Sequence, residues 1–239
     1  MIGFFKKRSK RTANAKIGKE ISNNIGRIAM QIAKGKRNEE ETRRWVVDMI
    51  RSAFGYKDSE IETELSVLGK RVDIALLDNQ RVIAVIECKA ATVQLNEAAV
   101  NQVSNYTAAL NAEWGVLTNG NRWILFHVIP RKGREPEINQ LFDIEVLDDD
   151  GLSKDDINNL YLLTKQAILS GETKMAYHQE FILSSDNIKA AISSPEILAS
   201  IAEKLKSSYK SKYGVSIDPD KDILREVIEF AMDDFNNSP

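Results

Sequence analysis

Isoleucines recur every three or four positions at Ile17, Ile21, Ile25, Ile28 and Ile32, a spacing that predicts an amphipathic helix over residues 16–34. Gly18 and Gly26 weaken that helix without interrupting the pattern. A firmer helix is predicted from Asn38. Asparagine is a favourable N-cap, and Glu41 three residues later completes a capping-box-like pair. The stripe Trp45, Val46, Met49, Ile50, Ala53 and Phe54 then runs to Gly55, a natural helix stop. Strand signals follow. Residues 61–68 alternate in part, 71–77 are rich in β-formers, and Arg81–Cys88 is a nearly continuous apolar run. Asp78-Asn79-Gln80 between the last two has turn chemistry and predicts a hairpin. Residues 96–110 read as a helix with Ala99, Val100, Val103, Tyr106 and Leu110 on one face. Trp114–Thr118 and residues 122–128 flank Asn119-Gly120, the strongest short hairpin signal of the chain.

The order helix, three strands, helix, two strands predicts an α/β fold, a mixed sheet with helices packed against it. Residues 131–137 read as a loop, 141–147 as a last strand, and Asp148-Asp149-Asp150-Gly151 as an acidic break. Beyond it the chain reads as helical, with helix starts at Ser153, Ser194-Pro195 and Asp218-Pro219. The expected organisation is an N-terminal arm or helix over 1–37, a domain over 38–150 and a helical C-terminal region over 151–239.

Composition narrows the picture modestly. A chain of 239 residues, 43 % hydrophobic and 28 % charged, is that of an ordinary globular protein. No apolar run reaches the ~20 residues of a membrane span, and the apolar start Met1–Phe5 is too short for a signal peptide, so a cytoplasmic, membrane-free protein is expected. One cysteine, Cys88, excludes an internal disulfide, and His127 and His178 lack ligand-like spacing, so a metal here would need oxygen ligands. The net charge of −2 hides an uneven distribution. Residues 1–37 hold eleven Lys/Arg against one acid, Glu20, while the rest of the chain is acidic. Such a basic arm suits phosphate-backbone contact; the alternatives are a solvated tail or an arm docked on the protein's own acids.

The chemistry concentrates on the second hairpin. Asp73 and Glu87 lie almost symmetrically about its turn, so antiparallel pairing brings them side by side within about one residue of register. Lys89, two residues past Glu87, leaves the same face of the strand. Two carboxylates form a hard oxygen site for Mg²⁺ or Mn²⁺, and a lysine beside them can position or deprotonate a water. The structural alternative is a partly buried salt-bridge cluster, which stabilises poorly compared with apolar packing. Extending the helical stripe centred on Trp45 and Met49 backward at about 100° per residue brings Glu39 near its centre, with Glu40 and Glu41 to either side. Of the three, Glu39 is therefore the acid expected on the inward face, with Glu40 the competitor. Alternation turns Cys88 to the opposite, packed face, where its thiol is a small core group.

Asp73 followed by Glu87-Cys88-Lys89 after a hairpin resembles the PD-(D/E)xK nuclease motif, with Val72 where the generic motif has proline. Asn38-Glu39-Glu40-Glu41-Thr42-Arg43, Gln102-Val103-Ser104-Asn105-Tyr106 and the run Val116-Leu117-Thr118-Asn119-Gly120-Asn121-Arg122-Trp123 resemble, in order, further elements of the N-terminal nuclease domain of type I restriction enzyme R subunits. The resemblance covers about residues 38–150. It implies a PD-(D/E)xK restriction-endonuclease-like core with a helical C-terminal extension, acting as a Mg²⁺- or Mn²⁺-dependent DNA endonuclease. Asp73 and Glu87 would ligate the metal, with the backbone carbonyl of Cys88 as a third ligand. Lys89 would orient the attacking water and steady the scissile phosphate, Glu39 would complete the catalytic set, and Gln102 and Tyr106 would contact the site or the DNA. No G-x-x-x-x-G-K-[S/T] element is present, so a stand-alone relative without the ATP-driven motor is expected. The implied partners are DNA and the other subunits of a restriction-modification system; the helical tail after residue 150 could supply a dimer interface with a second copy of the chain, a lid over the DNA or a docking surface. The competing reading is a DNA-binding or assembly module that keeps the nuclease fold and works through a partner motor or specificity subunit.

Overall fold

The computed structural model describes residues 2–35, 38–67, 69–147 and 152–236. Lys36, Arg37, Leu68 and the acidic break 148–151 lie outside the described residues. Packing divides the chain into two units, Met1–Tyr177 and His178–Pro239.

The first unit opens with helix α1 (Ile2–Ala33), longer than the isoleucine pattern predicted. Ile17, Ile21 and Ile28 are buried, Ile25 is half-buried and Ile32 is exposed. Helix α2 (Glu39–Ser52) begins as its sequence predicts, with the Asn38 side chain accepting from the Glu41 backbone N–H at 3.1 Å. It buries Trp45, Val46, Met49 and Ile50, and Gly55 follows in the left-handed region at φ 80°. Then come β1 (Ile61–Val67), β2 (Lys70–Asp78), β3 (Arg81–Cys88), α3 (Glu97–Ala109), β4 (Trp114–Thr118), β5 (Arg122–Ile129) and β6 (Glu137–Glu145). The six strands form one sheet in sequential order. All neighbours are antiparallel except β3 and β4, which run parallel and are joined through α3. Strand β6 starts four residues before the expected strand, within the stretch read as a loop. It pairs along its whole length with β5, but only Phe142 and Ile144 are buried, so its apolar signal is weak.

Two apolar clusters flank the sheet. One joins Ile17, Ile21 and Ile28 of α1 and the apolar face of α2 to Ile74, Leu76, Ile86, Trp114, Trp123 and Leu125. The other joins Ala99, Val103 and Tyr106 of α3 to Val85, Leu117, Ile124 and Phe126. Along β5 alternation deals Trp123 and Leu125 to the first cluster and Ile124 and Phe126 to the second, as a sheet covered on both faces requires. The first cluster also takes in Leu160, Tyr161 and Ala167 from α4 (Lys154–Tyr161) and α5 (Lys165–Leu169), so this core draws on residues on both sides of 38–150. Helix α6 (Glu172–Ile182) crosses the boundary between the units.

The second unit continues through α7 (Ser185–Ile192), α8 (Pro195–Tyr213) and α9 (Lys221–Asn236). Helix α8 has Pro195 in its first turn and Gly214 as a left-handed C-cap, matching the start expected at Ser194-Pro195. Helix α9 starts after the expected Asp218-Pro219, because Asp220 supplies the side-chain acceptor for Asp222 and Ile223 N–H. No helix among the described residues is long and apolar enough to cross a membrane.

The turn between β4 and β5 locks α2 to the sheet. Asn119 Oδ1 accepts from the Asn121 and Arg122 amides at 3.0 and 2.7 Å, and its Nδ2 donates to the Val93 carbonyl at 2.9 Å. Gly120 has φ 85°, and a Cβ there would lie 3.3 Å from both Thr42 and Trp45 of α2. A side chain at this position meets steric resistance and an unfavourable backbone conformation together. Gly120→Ala is therefore expected to cost about 1–3 kcal/mol, read as a lower urea midpoint with an unchanged m-value; a midpoint equal to wild type would show that α2 yields there freely.

Candidate active site

The turn Asn79-Gln80, with φ 48° and 65°, closes the β2–β3 hairpin and pairs Asp78 with Arg81. Counted from that turn alone, Asp73 would oppose Ile86, and Glu87 would point to the other face. The register changes on the way. Leu77 opposes Val82 while Leu76 opposes Ala84, so Ile83 is an extra residue in β3. The packing records the change: Val82 packs on the α3-side cluster, whereas Ile83 and Ala84 both belong to the opposite one. From Ile74↔Ile86 the register, carried one residue further, puts Asp73 opposite Glu87. The regular ladder ends there, and Asp73 Oδ2 instead accepts the Cys88 amide at 2.8 Å.

Glu87 is 3 % exposed. Its Oε1 accepts from Lys89 Nζ and from Gln102 Nε2 of α3, both at 2.6 Å. Lys89 Nζ also lies 3.4 Å from Gln102 Oε1, and Gln102 Nε2 lies 3.4 Å from the Tyr106 hydroxyl. Gln102 and Tyr106, one helical turn apart, thus bring α3 into the cluster through a single chain of polar contacts. Tyr106 also buries its ring in the α3-side core. Glu87 Oε2 is buried with no hydrogen-bond partner among the described residues. The segment after β3 is held by the Lys89 amide, which donates to the Thr118 carbonyl at 2.8 Å.

Helix α2 supplies the opposite wall. Glu40 is engaged by Arg43 and Arg44, and Glu41 sits at the Asn38 cap. Glu39 is the acid of the three that interacts electrostatically with Asp73, Glu87 and Lys89. Arg43, one turn after Glu39, was not singled out by the sequence reading. Its Nη1 lies 3.7 Å from Asp73 Oδ1 and 3.3 Å from Glu64 Oε1. The four-residue step from Glu39 was the signal that could have found it. Cys88 is fully buried, with its thiol pushed well up by desolvation, as suits the small core group expected from the sequence; its amide donates to Asp73.

Burial and crowding of like charge set the electrostatics. Glu87 is pushed up to about 7, first by burial and then by the Asp73 charge, with Lys89 opposing. Burial also raises Asp73 against the Cys88 amide, Lys89 and Arg43, and raises Glu39 against Lys89. Burial works against the charge of Lys89, but Glu87, Glu39 and Asp73 outweigh it and hold its pKa above the usual value. Among the described residues no three His, Cys, Asp or Glu side chains form a ready-made metal cage. The oxygens of Asp73 and the unpartnered Glu87 Oε2 nonetheless suit a hard cation that completes its shell with water and phosphate, as Mg²⁺ commonly does.

A carboxyl raised from 4.5 to about 7 leaves the folded chain holding a proton that the unfolded chain has released. Its contribution to stability is complete below about 4.5 and is lost as pH rises through about 7. In metal-free buffer, carbon-13 NMR of labelled glutamate is expected to show one carboxyl titrating near 7, moving down in Asp73→Asn. A spectrum with every glutamate titrating near its ordinary value would refute this electrostatic picture.

Residues 38–142 match the family described as Type I restriction enzyme R protein N terminus. No curated protein and no solved structure matches the chain. The matched segment runs from the α2 cap into β6 and includes Glu39, Arg43, Asp73, Glu87, Lys89, Gln102 and Tyr106. Over residues 38–142, then, this chain is similar to the N terminus of type I restriction enzyme R proteins.

Proposed function

We propose that the protein is a metal-dependent DNA endonuclease of the restriction R-subunit type, with a PD-(D/E)xK-like core. The observation that carries this reading is the buried, unpartnered Oε2 of Glu87 opposite Asp73, while Lys89 and Gln102 hold the other oxygen. An uncompensated carboxylate oxygen in such a place is a cost that a purely structural cluster has no reason to carry. Asp73 and Glu87 would hold Mg²⁺ or Mn²⁺, with the Cys88 carbonyl as a third donor. Such an ion supplies activation of water and neutralisation of charge on the phosphodiester when bound.

The chain's own residues do the remaining work in this reading. Lys89 keeps its proton beside Glu87 and steadies a non-bridging oxygen of the scissile phosphate while orienting the water that attacks phosphorus. Gln102 fixes both Glu87 and Lys89, and Tyr106 braces Gln102 from the core. Arg43 holds Asp73 in place against the like charges around it, and Glu39 adds a third negative charge facing Lys89. DNA, other restriction-modification subunits and a second copy of the chain are the partners this reading implies.

Plasmid and linear DNA incubated with Mg²⁺ or Mn²⁺ should be cut. Lys89→Ala should lose about 10²-fold or more of the rate, and Gln102→Ala about 10-fold or more through disorder of its two partners. Wild-type turnover no greater than that of Lys89→Ala under either metal defeats the catalytic reading. The absence of a three-acid cage among the described residues favours a second reading, a DNA-binding or assembly module completed by a partner. Salt-sensitive DNA binding without turnover, with cleavage appearing only when motor or specificity subunits are added, would select it.

A further inference from the structure

The site has an electrostatic difficulty as a place for DNA. Glu39, Glu40, Glu41, Glu64, Asp73 and Glu87 gather around it, and its cations are already engaged, Arg43 by Glu40 and Glu64 and Lys89 by Glu87. A polyanion approaching this wall needs counter-charge close by. Helix α1 supplies it.

Lys16, Lys19, Arg27 and Lys34 are all exposed on α1 and the turn that ends it. At about 100° per residue, Lys16, Arg27 and Lys34 fall within roughly 20° of one another, with Lys19 about 60° to the side. Ile17, Ile21 and Ile28 occupy the far side and anchor the helix in the core. Among the described residues Lys16, Lys19 and Lys34 have no ion pair, and the contact recorded for Arg27 is a neutral one, to Asn24 Oδ1 at 3.4 Å. Glu20 lies at the edge of the stripe, which keeps a net excess of positive charge. From Lys16 to Lys34 the stripe spans roughly 27 Å at 1.5 Å per residue. That length of duplex carries about eight phosphates on each strand. Its far end reaches the site's own helix: Arg27, Gln31, Lys34 and Glu41 line one surface cleft, and Glu41 is two residues from Glu39.

We infer that the exposed face of α1 is a sequence-independent track for the phosphate backbone of the duplex whose scissile bond reaches Asp73 and Glu87. This rests on the DNA reading of the site and adds where the flanking duplex lies. The track reads charge and spacing, since no base-reading side chain is required by it.

The test is binding of the full chain to a 5′-fluorescent duplex of about 30 base pairs, a length chosen to exceed the track, by anisotropy in EDTA over a range of salt. Removing three cations in Lys16→Ala/Lys19→Ala/Lys34→Ala should lower the slope of log K against log salt by roughly 2.7 and weaken binding at least ~10-fold. The triple Lys→Arg variant, which keeps the charge, should bind as wild type. Removing the same charge elsewhere, in Lys204→Ala/Lys210→Ala/Lys212→Ala, should leave slope and affinity nearly unchanged. A wild-type slope in the α1 alanine variant overturns the track. So does an equal loss in the α8 variant, which would mean net charge alone, or absence of duplex binding by wild type. Cleavage is scored separately at low salt: no cleavage with the slope change intact sinks the catalytic reading and leaves the track standing.

Discussion

Two carboxylates facing each other across a largely buried hairpin repel, and neither finds enough water to relax the repulsion. Most of what surrounds Asp73 and Glu87 can be understood as compensation for that juxtaposition. The Cys88 amide binds Asp73 where a regular ladder would have used it for a backbone bond. Lys89 and Gln102 share one oxygen of Glu87, and Arg43 approaches Asp73 from the other wall. These contacts still leave one oxygen of Glu87 unanswered and its carboxyl raised to about 7. The compensation is partial, which separates this cluster from an ordinary buried ion pair, where satisfied partners are the rule.

The compensating groups come from separate elements, so the site depends on how firmly those elements are joined. Helix α3 is seated by Val103 and Tyr106 in one core, and α2 by Trp45, Met49 and Ile50 in the other. Trp45 meets Trp123 edge-on at 5.9 Å, and Phe54 meets it at 6.0 Å, tying α2 to strand β5. Gly120 lets the β4–β5 turn approach α2 closely, while Thr118 in the same segment holds the Lys89 backbone. Short polar contacts at the cluster thus rest on apolar contacts made up to several residues away.

Much of this was legible in the sequence because it rests on local rules. The Asn38 cap, the turn after Asp78 and the helix between β3 and β4 follow from side-chain chemistry and periodicity within short windows. What was not legible depends on partners distant in sequence. Strand β6 is defined by pairing with β5 more than by its own pattern. The full length of α1 goes beyond the isoleucine repeat that announced it. Arg43 looks like one more charge on an exposed helix until Glu64 and Asp73 are brought beside it. Glu39 could be separated from Glu40 on the helical wheel, and the ion pairs of Glu40 with Arg43 and Arg44 show what the wheel could not.

The extra residue in β3 carries a consequence for how such hairpins are compared. Symmetry about the turn would place Asp73 and Glu87 on opposite faces, and Ile83 takes up the odd residue so that they share one. A chain lacking that residue could close the bulge, restore an unbroken ladder and still oppose the same two carboxylates. The distance between them along the chain is therefore elastic by one position, while their pairing in space is not. Aligning such hairpins by counting residues from aspartate to glutamate would separate chains that build one arrangement; counting strand pairs from the turn, with the bulge allowed for, would bring them together.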